Sequence, residues 1–274
     1  MRGFLNISTY RFVPLPAGEL PTLRQRLHDQ AQAAGLKGTV LLATEGINLF
    51  LAGAADAVRA WLHHLRADAR FAGLEAKESW SGAPPFRRLK VKVKPEIIRM
   101  DHPAVQPAAG RAPALAPETL ARWLAQGHDD DGRPVVTLDT RNAFEVDAGT
   151  FEGAVDWRLS RFGEFPAALA AHGDALAGKT VVTFCTGGIR CEKAALLMHE
   201  HGHRHTWQLE GGILKYFEAT QGRAPGWRGE CFVFDERVAL DAVLAPAAAT
   251  AATASEAASD AVGDAASDAA PCTD

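Results

Sequence analysis

The chain has 274 residues, of which 47% are hydrophobic and 23% charged, and its formal net charge is −4. Those values describe an ordinary globular protein of about two domains, and its four irregularly spaced cysteines, Cys185, Cys191, Cys231 and Cys272, argue against a disulfide framework. No apolar run approaches the ~20 residues of a membrane span, and the start MRGFLNISTYRFVPL lacks the apolar centre of a signal peptide, so a cytoplasmic protein without membrane contact is expected.

The first part of the chain alternates strand and helix signals. Phe4 to Val13 reads as a strand, and Glu19 to Ala34 as a helix with Leu20, Leu23, Leu27 and Ala31 on one face. Thr39 to Ala43 and Leu49 to Ala52 read as strands around a Thr44 to Asn48 turn. A helix over Ala54 to Arg66 turns Val58, Trp61, Leu62 and Leu65 inward, and Leu74 to Ser79 reads as a further strand. This order, β-α-β-β-α-β, is that of a ferredoxin-like sandwich and assigns residues 1–96 to a first domain.

Near its end, Leu89, Val91 and Val93 alternate with Arg88, Lys90, Lys92 and Lys94, which puts four cations on one strand face. Two readings are open: an edge strand guarded by charge, or a stripe that tracks the phosphates of a nucleic acid. Net charge does not decide between them. The acidic residues after Pro246 account for the whole negative excess, so the body is near neutral and would bind nucleic acid only through a local patch.

Residues 97–115, rich in Pro and Ala, read as a linker. In residues 116–244, a helix at Pro117 to Ala125, a buried strand at Pro134 to Leu138 and a short helix with Phe144 and Val146 come first. A helix at Phe165 to Ala171, a strand at Val181 to Phe184, a helix from Glu192, a strand at Thr206 to Leu209 and a helix at Ile213 to Thr220 follow. Strands and helices in that alternation form a doubly wound parallel sheet, with ligands beyond the strands' carboxyl ends. Residues 245–274 fall into Ala, Ser, Thr and Asp, and disorder is expected there, with Cys272 a passenger.

The chemistry concentrates at one such strand end. Cys185-Thr186-Gly187-Gly188-Ile189-Arg190 joins a β-branched strand to a helix, so backbone N–H groups and the helix dipole converge on a thiol. Such a site lowers a cysteine pKa, and Arg190 adds a fixed charge. Cysteine phosphatases place their arginine one position later, in a loop sized for phosphate. Arg190 follows Cys185 by five positions, a smaller ring that suits one sulfur atom, as in a persulfide. His199, His201, His203 and His205 would share a side only in an extended segment, and no Cys pair or carboxylate triad accompanies them, so no metal is expected.

Asp139-Thr140-Arg141, Gly153-Ala154-Val155, the Cys185 loop and the Gly211-Gly212 turn together resemble a rhodanese domain. The longer strings LATEGINLF, DTRNAFEVDAGTFEGAV, FCTGGIRCEKA, LEGGILKYFE and GECFVFDERV resemble the rhodanese-containing tRNA uridine hydroxylases, over about Phe4 to Leu240. The resemblance implies an acylphosphatase-like first domain, a rhodanese second domain, and 5-hydroxylation of the wobble uridine in a tRNA anticodon loop with molecular oxygen as co-substrate. It implies no other cofactor.

On that basis Cys185 and Arg190 are the expected catalytic pair, held by Thr186, Gly187, Gly188 and Ile189, with Asp139 and Arg141 in support and Arg88, Lys90, Lys92 and Lys94 on the tRNA. Cys191 matches a cysteine that often follows, either a second thiol able to join Cys185 or a small buried residue. Longer relatives carry a zinc-binding cysteine region that is absent here. A persulfide-forming sulfurtransferase and a non-catalytic tRNA-binding module are the rival functions.

Overall fold

The computed structural model describes residues 3–247; the expectations for the acidic tail and Cys272 concern residues outside that range. The first domain contains β1 (Phe4–Phe12), α1 (Leu20–Ala33), β2 (Lys37–Ala43), β3 (Gly46–Gly53), α2 (Ala55–Arg66), β4 (Lys77–Ser81) and β5 (Leu89–Val93). Its sheet runs β4-β1-β3-β2-β5, with β5 parallel to β2 and the other neighbours antiparallel.

Strand alternation divides this sheet into two faces. Leu5, Ile7, Val40, Leu42, Leu49, Leu51 and Val91 pack with α1 and α2 in one apolar core that includes Leu23, Leu27, Trp61 and Leu65. The opposite face presents Asn6, Ser8, Tyr10, Asn48, Phe50 and Lys92 to a cleft. β3 starts at Gly46, three residues before the expected Leu49, and β4 runs about two residues later than read. Glycine at position 46 signals a turn in sequence, but here it serves a close crossing: φ is +148° and a Cβ would lie 2.0 Å from the Arg11 carbonyl oxygen.

The second sheet is wholly parallel, in the order β6-β11-β10-β7-β9. Its strands are β6 (Ala114–Leu115), β7 (Val135–Asp139), β9 (Val155–Asp156), β10 (Thr180–Phe184) and β11 (Thr206–Leu209). Helices α3 (Pro117–Gln126) and α7 (Gly212–Ala219) cover one face through Leu120, Trp123, Ile213 and Phe217. Helices α5 (Phe165–His172) and α6 (Ile189–Glu200) cover the other through Phe165, Leu169, Leu197 and Met198. Between β7 and β9 lie α4 (Ala143–Ala148) and β8 (Gly149–Phe151), the latter paired with β12 (Trp227–Gly229).

Two segments differ from the sequence reading. The stretch read as a linker is packed, because Ile97, Met100, Val105 and Ala112 among its prolines are buried and Ala114–Leu115 joins the second sheet. The end of the second domain returns to the first. β13 (Cys231–Phe232) pairs with β14 (Ala239–Leu240), and between them Glu236 N–H donates to the Pro85 carbonyl at 3.1 Å and Arg237 donates to Ser79 Oγ at 2.7 Å. This segment is a strap across both domains. Among the described residues no helix is long and apolar enough to cross a membrane.

Candidate active site

β10 is fully buried and ends at Phe184, so Cys185 stands at the carboxyl edge of the central strand. The loop after it is held from outside. Ile213 N–H donates to the Cys185 carbonyl at 3.0 Å and Leu214 N–H to the Thr186 carbonyl at 3.2 Å. Gly212 permits this approach: its φ is +68°, and a Cβ there would lie 2.4 Å from the Cys185 oxygen. With the carbonyls turned outward, the N–H of Gly188 donates to Cys185 Sγ at 3.1 Å, and those of Arg190 and Cys191 also favour the sulfur.

Cys185 is fully buried, and burial alone would raise its pKa. The Cys191 hydrogen bond, the Arg190 charge and the backbone N–H groups outweigh it and bring the thiol from 9.0 down to about 5. Cys191 goes the other way: burial and the neighbouring sulfur push its thiol well above the ordinary value. It therefore stays protonated and donates to Cys185 Sγ across 3.3 Å, with the Gly188 carbonyl at 3.1 Å as second acceptor. Both thiols are free, since a disulfide needs about 2.05 Å. Cys231, the third buried thiol, is raised to about 12 by burial.

Arg190 makes a bidentate ion pair with Glu145, at 2.5 and 2.8 Å, with both side chains buried. Glu145 sits in the first turn of α4 and accepts the Asn142 N–H at 3.1 Å. Burial would raise this carboxyl, but the charge and hydrogen bonds of Arg190, then Arg141, pull it below its ordinary value. The guanidinium also lies 5.9 Å from the Phe234 ring of the strap. Thr186 reaches the Glu145 carboxylate and the Phe232 carbonyl, each at 3.4 Å, and Ile189 packs on Ala43 and Ile97, so both loop side chains serve assembly.

Asp139 and Arg141 lie beneath the site. They form a fully buried ion pair, with Arg141 also bonded to the Gly149 carbonyl and Asp139 to Thr150 Oγ1. Neither lines the cleft; they fasten the β7 end. The four histidines do not converge. His199 is bonded to the Thr206 carbonyl at 2.9 Å, and among the described residues no three His, Cys, Asp or Glu side chains are placed to hold a metal.

The first domain closes the site. Tyr10 Oη donates to Glu192 at 2.9 Å, and Arg111 pairs with the other Glu192 oxygen at 3.3 Å. The buried Lys193 ammonium pairs with Glu45 and Glu96 and donates to the Ile98 carbonyl. Lys77 Nζ donates to the Gly187 carbonyl at 2.9 Å. Sequence reasoning missed Glu145, Lys77, Tyr10, Glu192, Lys193 and Phe234. Only Glu192 and Lys193 had a local signal, as charges beside Arg190 in the first turn of the helix that follows the cysteine loop.

Between the domains is a cleft of about 900 Å³. Cys185, Thr186, Gly187, Ile189 and Arg190 line one side, the open sheet face of the first domain another, and Val233, Phe234 and Arg237 of the strap a third. Lys92 and Lys94 of the cationic stripe line it as well. Lys90 shares their strand face and feels the repulsion of Arg88 and Lys92, which, after burial, lowers its pKa. Arg88 is exposed and lies outside the cleft lining.

Fold and loop together define a rhodanese-type cysteine site roofed by a ferredoxin-like domain. Residues 4–97 match the UPF0176 acylphosphatase like domain, and residues 120–219 the rhodanese-like domain. The chain is 68% identical over 249 residues to the tRNA uridine(34) hydroxylase of Bordetella petrii, covering 91% of this chain and 97% of that protein. It is 62% identical to the enzyme of that name from Variovorax paradoxus, covering 91% and 93%, and 64% identical to that of Bordetella pertussis, covering 90% and 100%. The chain belongs to the tRNA uridine(34) hydroxylase family.

Proposed function

We propose that this protein hydroxylates C5 of the wobble uridine of tRNA, using molecular oxygen and the Cys185 thiolate. The observation that carries the reading is the shared cleft: a thiolate loop and the Lys92 and Lys94 cations line one cavity. A small thiol acceptor needs no such cationic wall, whereas a single-stranded anticodon loop brings phosphates with its base. An unpaired uridine also reaches a buried sulfur without the cost of leaving a duplex. The work is done in the cytoplasm, where tRNA is.

In this mechanism Cys185 Sγ adds to C6, and the electron pair of the 5,6 double bond moves to C5 and O4. C5 then bonds to oxygen. Loss of the C5 proton expels Cys185 and restores the double bond, leaving one oxygen atom on C5. The other becomes water, which takes two electrons and two protons. The freed Cys185 thiolate and the Cys191 thiol supply both electrons and one proton as the O–O bond breaks, closing to a disulfide across their 3.3 Å gap; solvent gives the second proton, and an external dithiol reopens the disulfide.

The test is mass spectrometry of nucleosides from tRNA incubated with reduced protein under air and under argon, with a metal assay on the same sample. Hydroxyuridine is expected under air alone, and not with Cys185→Ser. Rapid thiosulfate–cyanide turnover without any hydroxyuridine would instead establish the sulfurtransferase rival. Hydroxyuridine formed by Cys185→Ser would remove the cysteine from the reaction.

A further inference from the structure

One peptide unit of the loop has a partner on each side. Lys77 Nζ, from β4 of the first domain, donates to the Gly187 carbonyl at 2.9 Å. The N–H of the same unit, that of Gly188, donates to Cys185 Sγ at 3.1 Å. Because a trans peptide is planar, its C=O and N–H point in opposite directions, so fixing one fixes the other. The unit is flanked by Gly187 and Gly188, which lack the Cβ that would otherwise restrict its rotation. Gly188 sits at φ +103°, where a Cβ would lie 3.1 Å from Tyr10 Oη, whereas a Cβ at Gly187 would meet nothing within 4 Å; neither residue carries a side chain that would hold the plane.

We propose that Lys77 is a positioning residue of the active site: by holding the Gly187 carbonyl, it keeps the Gly188 N–H aimed at the Cys185 sulfur and thereby sets the thiolate. The ammonium also polarises the amide it binds, which strengthens the N–H as a donor on the far side. The first domain is thus part of the cysteine's activation as well as a docking wall. Titratable or charged groups facing Cys185 are Cys191, Arg190, Tyr10 and Lys77. Those facing Lys77 are Cys185, Cys191, Lys215 and Glu218. Burial pushes the lysine below its ordinary value, and the two sulfurs offset that.

The inference rests on Cys185 as the reacting thiol, but its test needs no tRNA, so it stands or fails apart from hydroxylation. The rate of iodoacetamide alkylation at Cys185, followed by peptide mass spectrometry across pH in the full-length protein, gives the thiol midpoint. Lys77→Met should raise that midpoint by about one unit, slowing alkylation about tenfold at pH values below both midpoints. Lys77→Arg, which keeps the charge and a donor, should return it to within about threefold of wild type.

An unshifted midpoint in a cooperatively melting Lys77→Met protein would overturn the proposal. An Arg variant shifted as far as the Met variant would also overturn it, because lost packing would then explain both. Should Lys77→Met fail to fold, the wild type supplies a second reading. With ¹⁵N-glycine labelling, the Gly188 amide resonance should move with both the Cys185 and the Lys77 titrations, and a resonance blind to the lysine would refute the link.

Discussion

The Arg190–Glu145 pair gives the sharpest test of how the thiolate is held. In Arg190→Gln the Glu145 carboxylate remains fully buried without its cation, a situation that costs about 3–5 kcal/mol. Replacing both residues, as Arg190→Gln with Glu145→Gln, removes the charges as a unit and leaves two amides able to bond each other. The double variant should therefore recover most of that loss, a coupling of about 3 kcal/mol in a urea-melt cycle. Its cysteine should not recover. Arg190 is the one full positive charge among the main influences that lower Cys185 from 9.0 to about 5, and an opposite charge at such range is worth about 1–3 pH units.

The double variant should accordingly show a Cys185 alkylation midpoint near 6–8. The sign follows from the depressed folded pKa. Thiolate stabilisation is fully present above the unfolded value and is lost as pH falls through the folded one, so the wild type sheds it near pH 5 and the variant earlier. A stable double variant with its midpoint unmoved would show that the backbone N–H groups hold the sulfur alone, and the role given to Arg190 would be wrong.

Other predictions address the remaining parts. Replacing Lys92 and Lys94 by Gln should weaken tRNA binding across all sequences and flatten the log–log salt slope by about one to two, read by filter binding from low to high salt. Unchanged affinity would return the stripe to edge protection. Gly212→Ala places a methyl group against the Cys185 carbonyl at positive φ, so a loss of about 1–3 kcal/mol and a raised Cys185 midpoint are expected in melts and alkylation. Arg141→Ala should cost about 3–5 kcal/mol by stranding Asp139. In whatever protein folds, the Cys185 midpoint should stay near wild type, which separates a fastener from a site residue.

What the sequence disclosed and what it hid have a common physical basis. Periodicity exposed α1, α2 and the β10 loop because each pairs an apolar face with near neighbours: Leu20, Leu23, Leu27 and Ala31 bury together within one helix. The cysteine loop was legible for the same reason, since its strand, glycines and arginine are contiguous. The partners of that loop were not. Glu145, Lys77 and Phe234 reach it from other elements, and nothing local distinguishes Lys77 from the equally half-buried lysines of β5. The Pro-rich 97–115 stretch misled because prolines mark a break in regular structure, while burial there depends on Ile97, Met100 and Val105 meeting surfaces supplied by distant segments.

The strap has a consequence for synthesis of the chain. Tyr10 and Lys77 emerge from the ribosome well before Cys185, whereas Phe234 and Arg237 follow it by roughly fifty residues, several seconds at typical elongation rates. During that interval the loop gains its clamp from Ile213 and Leu214, while the third wall of the cleft is still to come. The cleft acquires its finished shape only when this later segment folds back onto the much earlier β4, contacts of high sequence separation that form slowly. A truncation within residues 230–240 should therefore yield a protein with an intact rhodanese sheet and an open cysteine, one that thiol reagents would mark sooner than the full-length chain.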